Sequence, residues 1–511
     1  MKINKFFKIL SIFAIIILIT ACQKDFLETD PIGKAAVSTF YNTDEDALMA
    51  IMATYDILQW MYARDWNSAY MVKTLPSDES LAGGGDAGDQ PKYQELDIFT
   101  YSAGNEAIKS VYESNYFGVY RANLVIDNVK PESDVRKTII AEAKFLRAYF
   151  YFELVSMYGS VPLNLHELAP SEYQQPPATV ADIWAQVEKD LTEAIADLPV
   201  KSQWGDADKM RATSGAAQAL LGKAYLYQEK WGDASTTFDQ LMGTMEYDLS
   251  DDFNTLFLKE QELGTESIFE VMYVTTEGYD WGTFQWGGNR AMENNIHWQL
   301  CGPRGDYFNA GETDLIGGWG FNYPTYSLYE AFVNAGDEYR RNNTLWSTTE
   351  LEAVGGSWSN PEAWGWDGCI RIKYATRTSE TNGDNGAVME LNYGTNLRLI
   401  RYADVLLMAA EAKYRGGNES GALIDLNKVR ARAQMDPVTA SGAALFDAIV
   451  LERQLELSFE GVRFLDLIRW GKAAEVLGSR GYVDGKNNLF PIPLDEMRNN
   501  KYMVQNNGYG N

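Results

Sequence analysis

The chain has 511 residues, a length that suits two or three domains, and 46% of them are hydrophobic, enough for a substantial core. A formal net charge of −27, from 71 acidic against 44 basic residues, excludes nucleic acid as a partner. With three cysteines and two histidines there is no disulfide framework and no histidine-rich transition-metal site; no cofactor is called for, although carboxylate-bound structural calcium stays open.

At the amino terminus Lys2, Lys5 and Lys8 precede an apolar run, Ile9 to Ile19, which meets Thr20-Ala21-Cys22. A membrane span needs about 20 apolar residues. This run is too short, so residues 1–21 read as a cleaved export signal. The small residues before Cys22 resemble the lipobox of bacterial lipoproteins, in which the cysteine takes a diacylglyceryl group. Cys22 is then the lipid-bearing first residue of an outer-membrane lipoprotein, and Gln23-Lys24-Asp25 resembles the charged tag that directs such proteins to the cell exterior. Each buried methylene contributes about 0.8 kcal/mol, so the two or three acyl chains anchor stably.

From residue 22 to 249 the pattern is helical. Thr43 and Asp44 are good N-caps for a helix that runs to about Tyr62. Val180, Ile183, Trp184, Val187, Leu191, Ile195 and Leu198 fall on one face of a 3.6-residue period. Similar periodicity predicts helices within 105–129, 132–158 and 213–244, and again within 396–433 and 440–478. Leu221, Gly222 and Tyr225 followed by Ala234 and Phe238 carry the spacing of a tetratricopeptide pair, and Ala412, Tyr414, Ala422 and Leu426 are a weaker echo. Such pairs stack into a solenoid that binds protein on its concave side or merely carries an insertion; both readings stay open.

Between 250 and 395 the sequence turns Gly-, Trp- and Asn-rich, with short strand-like runs at Ile268–Val274 and Ile370–Tyr374, and reads as a large irregular insertion. Eight of the fourteen tryptophans lie here: Trp281, Trp286, Trp298, Trp319, Trp346, Trp358, Trp364 and Trp366. They follow no helical or strand period and are interleaved with Gly, Asn, Gln and Asp. That mixture suits sugar recognition, with indoles on the apolar face of a pyranose and polar side chains on its hydroxyls. About half of the eight are expected in the core.

Other motifs read as structure. Glu452, Arg453, Glu456, Arg463, Asp466 and Arg469 sit among apolar neighbours at helical spacing, which suits half-buried ion pairs. Gly83-Gly84-Gly85-Asp86-Ala87-Gly88 matches a dinucleotide fingerprint literally, but no apolar strand precedes it and Pro91 follows, so it reads as a mobile loop. No nucleophile elbow, zinc-protease motif or Walker loop is present, so the chain reads as no enzyme; a carboxylate pair for glycoside cleavage depends on spatial separation and stays open.

Several segments resemble the SusD/RagB family: Ala141 to Phe152 (AEAKFLRAYFYF), Tyr158 to Leu163 (YGSVPL), Arg401 to Ala412 (RYADVLLMAAEA), Leu426 to Arg430 (LNKVR), Leu451 to Glu456 (LERQLE), Phe459 to Gly471 (FEGVRFLDLIRWG) and Phe490 to Pro493 (FPIP). The resemblance implies a mainly α, tetratricopeptide-like solenoid with an N-terminal helical region (22–249), the insertion bearing the ligand site (250–395) and a C-terminal helical region (396–511). It also implies a function: capture of an oligo- or polysaccharide at the cell surface and delivery to a SusC-like TonB-dependent transporter. Trp281, Trp286 and Trp319, with Trp298, are the expected sugar platform, assisted by Asn289, Arg290 and Asn322. Gly282, Gly287, Gly288, Gly318 and Gly320 are expected to leave the backbone free to present these rings. Related glycan binders often place a tryptophan in the loop matching Ser77 to Tyr93; this chain has none there, so Asp78 and Tyr93 are expected in its place. Between Gly278 and Gly320 only Arg290 and Arg304 stand against five acidic residues, which favours a neutral glycan, a β-glucan first. An oligopeptide ligand in the same transport system, or a protein-binding adaptor, are the alternatives.

Replacing Cys22 with alanine is expected to release the protein from membranes; persistence of the variant in carbonate-washed membranes would refute the anchor.

Overall fold

A computed structural model describes residues 40–286 and 292–510. Cys22 lies outside the described residues. The first helix, α1 (Asp44–Ala63), starts where its sequence predicts: Thr43 Oγ1 accepts the Asp46 amide at 3.1 Å and Asp46 Oδ2 accepts the Thr43 amide at 3.3 Å. A 3₁₀ turn, Asp65–Asn67, leads to α2 (Ala69–Thr74), the short strand β1 (Ser80–Leu81) and α3 (Pro91–Asp97). Pro91 therefore opens a helix, at the position where its missing N–H does no harm. Five helices follow, α4 (Glu106–Asn128), α5 (Asp134–Tyr158), α6 (Val180–Asp197), α7 (Ser214–Tyr227) and α8 (Trp231–Gly243), each packed against the next, with α1 across α4 and α5. On α6 the predicted face is buried at Ile183, Trp184, Val187 and Leu191, whereas Val180 in the first turn is exposed.

The tetratricopeptide reading of α7 and α8 has a steric basis. A Cβ on Gly222 would lie 2.4 Å from the Phe238 ring, so glycine is what allows the two helices to close around that phenyl.

The segment from 250 to 395 is less irregular than its composition suggests. It holds β2 (Ser267–Val271), α9 (Ile296–Cys301), β3 (Phe308–Asn309), β4 (Tyr323–Pro324), α10 (Tyr326–Ala335), α11 (Glu338–Asn342), β5 (Leu345–Ser347), α12 (Thr348–Ala353), β6 (Ser357–Trp358) and β7 (Cys369–Arg371). Four short helices were thus hidden by length: five to ten residues are too few for a periodicity to register. Among the described residues the strands pair as four two-stranded antiparallel sheets, β1 with β4, β3 with β6, β5 with β7, and β2 with β8 (Leu397–Arg401). That last strand occupies the start of a stretch whose periodicity predicted helix. Cys301 and Cys369 are buried free thiols.

The carboxyl-terminal helices are α13 (Tyr402–Arg415), α14 (Glu419–Arg432), α15 (Ala443–Leu457), α16 (Arg463–Arg469), α17 (Ala473–Leu477) and α18 (Leu494–Asn499). The α13–α14 pair continues the stack by packing on α8. Tyr414 departs from the repeat pattern and stacks on Phe446, 5.4 Å away.

The charged residues of this region are ion-paired, and more deeply than half-buried. Glu456 on α15 receives Arg401 of β8 at 2.6 Å, Arg340 of α11 at 2.8 Å and Arg432 of α14. Arg401 also reaches Glu266 and Glu460, both at 2.7 Å, and Arg340 reaches Glu452 at 2.7 Å. A second group joins Arg453 to Asp404 and Asp466, each at 2.8 Å, and Arg469 to Asp466 and Glu411. Burial alone would push the Glu456 carboxyl up; Arg432, Arg401 and Arg340 outweigh it and hold it well below the usual carboxylate range. Removing one partner from such a cluster strands the rest in low dielectric. The Glu456→Gln variant is expected to lose about 3–5 kcal/mol of unfolding free energy in a denaturant titration, and a loss under about 1 kcal/mol would show that the cluster does not hold these elements together.

Candidate ligand-binding site

Two separate parts of the chain meet at a cleft of about 830 Å³. The amino-terminal part supplies Trp66, on the 3₁₀ turn between α1 and α2. The insertion supplies Trp281, Trp286 and Trp319. The four indoles are nearly parallel. Trp66 lies 5.6 Å from Trp286 at 9° and 5.8 Å from Trp319 at 21°; Trp286 lies 5.8 Å from Trp319 at 29°, and Trp281 lies 6.5 Å from Trp319 at 18°. These separations belong to offset stacking. Trp281 and Trp286 are 55% and 43% exposed, the most open of the four.

Each ring is held by local structure. Asp280 Oδ1 accepts the amides of Gly282 and Thr283, both at 2.8 Å, closing the turn that carries Trp281. Phe284 is buried with Ile296 and Leu391, and its ring meets Trp286 edge-on at 4.8 Å. The strip around Trp319 is laced to the end of α9: Trp319 N–H donates to the Gln299 carbonyl, Gly320 N–H to that of Gly302 and Phe321 N–H to that of Leu300, all at 2.8 Å. Here glycine serves close approach rather than freedom, since a Cβ on Gly318 would fall 2.5 Å from the Gly302 Cα. Phe321 in turn meets the Trp66 ring edge-on at 5.2 Å.

The glycine-rich loop forms one wall and is docked, not free. Gly84 N–H donates to the Gly320 carbonyl at 2.9 Å, and a Cβ on Gly83 would lie 2.0 Å from that same oxygen. The loop delivers Asp89 and Gln90 to the cleft, where Arg304, Asp306 and Glu390 complete the polar lining. Arg304 pairs with Asp306 at 2.8 Å, and Asp89 accepts the Gly85 amide at 2.9 Å. Among the described lining residues one cation stands against three carboxylates. A second cleft, of about 380 Å³, is lined by Asp248, Asp251, Asp252 and Glu266 with no aromatic ring, and offers nothing flat to stack on. Among the described residues no group of three metal-ligating side chains comes together.

Several expected site residues are elsewhere. Trp298 is buried, stacks on Tyr374 at 4.4 Å and 6°, and donates its indole N–H to the Thr395 carbonyl at 2.9 Å; it is core. Asn322 is buried, donating to Thr74 Oγ1 at 2.9 Å and accepting from Arg371. Asp78 is taken by Arg463 through two contacts of 2.8 Å. Tyr93 is buried against Phe321, so it supports Trp66 from behind without facing the cleft. Asn289, Arg290, Gly287 and Gly288 lie outside the described residues. Trp346, Trp358 and Trp366 pack against the cluster of Leu315, Leu351 and Ile370. Trp66 escaped the sequence reading, although Arg64-Asp65-Trp66-Asn67-Ser68 carries the same signal as the insertion, a tryptophan among polar residues between helices.

The architecture defines a class of protein, a helical-repeat scaffold that carries a cluster of four indoles at one cleft. The family model described as "SusD family" matches residues 342–488, and that described as "Starch-binding associating with outer membrane" matches 56–226. A laminarin-binding SusD-like protein of known structure is 34% identical, with a TM-score of 0.83 over 92% of this chain and 100% of that one. Surface glycan-binding protein A from Bacteroides thetaiotaomicron, solved with laminarihexaose, is 27% identical, with a TM-score of 0.78 over 91% of this chain and 100% of that one. A SusD-like protein of Formosa agariphila is 27% identical over 542 residues, 99% of this chain and 100% of the relative. The chain belongs to the SusD family.

Next to Asp78 in the chain is a buried acid, Glu79, which accepts the Phe459 amide at 3.2 Å. Burial pushes its carboxyl up from 4.5 to about 8, with the Asp78 carboxylate adding to the push against Arg463. A folded-state value above the unfolded one means that this group's contribution to stability is complete below pH 4.5 and is lost as pH rises through about 8. Glu79→Gln cannot titrate, so the melting temperature of the unmodified protein is expected to fall relative to that variant between pH 5 and pH 8; a constant difference would mean that Glu79 is already ionised at pH 5.

Proposed function

We propose that this chain is a cell-surface lipoprotein that captures a neutral glycan, a β-glucan first, and delivers it to a SusC-like TonB-dependent transporter without cleaving it. The observation that carries this reading is the cluster of four nearly parallel indoles, Trp66, Trp281, Trp286 and Trp319, lining a cleft with a single described cation. Pyranose rings present C–H faces that pack on indoles, and the Gln90, Asp89 and Arg304 side chains are of the kind that bind hydroxyls. Laminarin and laminarihexaose, bound by two relatives that share the fold, are β-linked glucans of the expected kind. Anchoring through Cys22 keeps the site at the outer membrane. Two of the three cleft carboxylates are already engaged, which supports binding over hydrolysis: Asp306 is held by Arg304 and Asp89 accepts a backbone amide.

Calorimetry with laminarihexaose tests the reading. Trp66→Ala and Trp286→Ala are each expected to weaken binding by about twofold to tenfold, since a stacked ring contributes about 0.5–1.5 kcal/mol beyond its buried area. Unchanged affinity in both variants, with helical content intact by circular dichroism, puts the site elsewhere.

A further inference from the structure

The docked glycine-rich loop has a second side. While Asp89 and Gln90 face the cleft, the Gly83 carbonyl accepts Gln94 Nε2 at 2.9 Å, and Gln94 Oε1 accepts the indole N–H of Trp364 at 3.1 Å. The Trp364 turn is pressed onto the same loop: Gly365 has φ +70°, and a Cβ there would lie 2.5 Å from the Ala82 carbonyl oxygen. Trp364 is thus held at its polar edge and 44% exposed. Three residues on, Asp367 accepts the Tyr326 amide at 2.6 Å. Tyr326 is 43% exposed and stacks on Tyr329 at 5.5 Å and 22°.

Single exposed hydrophobic residues are ordinary on protein surfaces and carry no inference. Two features set this pair apart. The Trp364 ring is fixed by its own hydrogen bond and Tyr326 is tied through its backbone amide to Asp367 of the same turn, and that turn is clasped to the loop that walls the indole cleft. An indole whose N–H is already bound can offer only its apolar face, which is the surface that a sugar ring uses.

We propose that Trp364 and Tyr326 form a second, distal sugar subsite that takes a later stretch of the same neutral glycan chain after it crosses the Gly83–Gln90 loop. This rests on the reading of the indole cleft as the primary site. Its consequence is a dependence on chain length: short oligosaccharides fill the cleft alone, and polymer gains from both.

Calorimetry on the full mature chain with laminaritriose and with laminarin tests it. Trp364→Ala is expected to leave triose affinity within about twofold and to lower laminarin affinity by about fivefold or more. Trp364→Phe, which keeps a ring but not the N–H, is expected to retain most of the polymer affinity. Tyr326→Ala leaves the Trp364 clasp intact, is expected to show a smaller loss for the polymer alone, and decides the matter if Trp364→Ala does not fold. Equal losses for both lengths in Trp364→Ala would reduce Trp364 to a prop for the loop and overturn the subsite, as would unchanged laminarin affinity. If Trp66→Ala loses both ligands while the Trp364 and Tyr326 variants lose neither, the subsite alone fails. If the unsubstituted protein binds neither ligand, the cleft reading fails, and the subsite with it.

Discussion

The arrangement of this protein depends on one buried carboxylate. Glu456, fully enclosed on α15, accepts guanidinium groups from three elements that are far apart in sequence: β8 through Arg401, α14 through Arg432 and α11 of the insertion through Arg340. In low dielectric an unmatched charge is costly, so each of these elements has one acceptable position relative to α15. Apolar packing alone tolerates small slips between helices, whereas a guanidinium fork on a carboxylate does not. The cluster therefore does for the insertion what glycine and phenylalanine do for the helical pair α7–α8: it sets where one element sits on another.

That constraint extends to the indoles through a short series of contacts. Lys373 donates to the Glu456 backbone carbonyl and to Glu460, both at 2.9 Å. Two residues earlier, Arg371 of β7 donates to the Tyr70 hydroxyl at 2.8 Å and to Asn322. Tyr70 lies on α2, just after the turn that holds Trp66, and Asn322 lies three residues after Trp319. The two halves of the platform are thus positioned from one strand that is itself tied to the charge cluster. A ligand meeting rings already in place avoids the ordering cost of about 0.5–1.5 kcal/mol per immobilised side chain.

Legibility from sequence followed the distance between partners. The Thr43 cap, the apolar face of α6 and the charged residues of α15 and α16 were readable because helices relate residues three or four apart. The indole cluster was half readable, since a tryptophan-rich stretch among glycines signals rings without saying which of them face out. What sorted them was remote: Trp298 is claimed by Thr395, 97 residues away, Asn322 by Thr74 at a separation of 248, and Asp78 by Arg463 at 385. No local pattern encodes such pairings. Trp66 carries a local signal of its own, but what joins it to the platform is equally remote, since its partners lie more than two hundred residues further along the chain.

The charge of the molecule bears on how such a platform would hold its cargo. With a formal net charge of −27 and carboxylates around the cleft, the protein gives a neutral ligand no electrostatic steering, so the proposed capture rests on ring contacts. Each stacked ring contributes about 0.5–1.5 kcal/mol beyond area, close to tenfold in affinity at most, and the indole cluster offers several such contacts. A chain bound in this way can be released ring by ring, each step crossing a small barrier. A ligand held by one desolvated ion pair has to lose that contact at once, and at protein interfaces in general the loss of a buried charge pair acts on the off-rate. For a protein whose proposed role is to hand its ligand to a transporter, many weak stacking contacts are the better physical solution than a few strong polar ones.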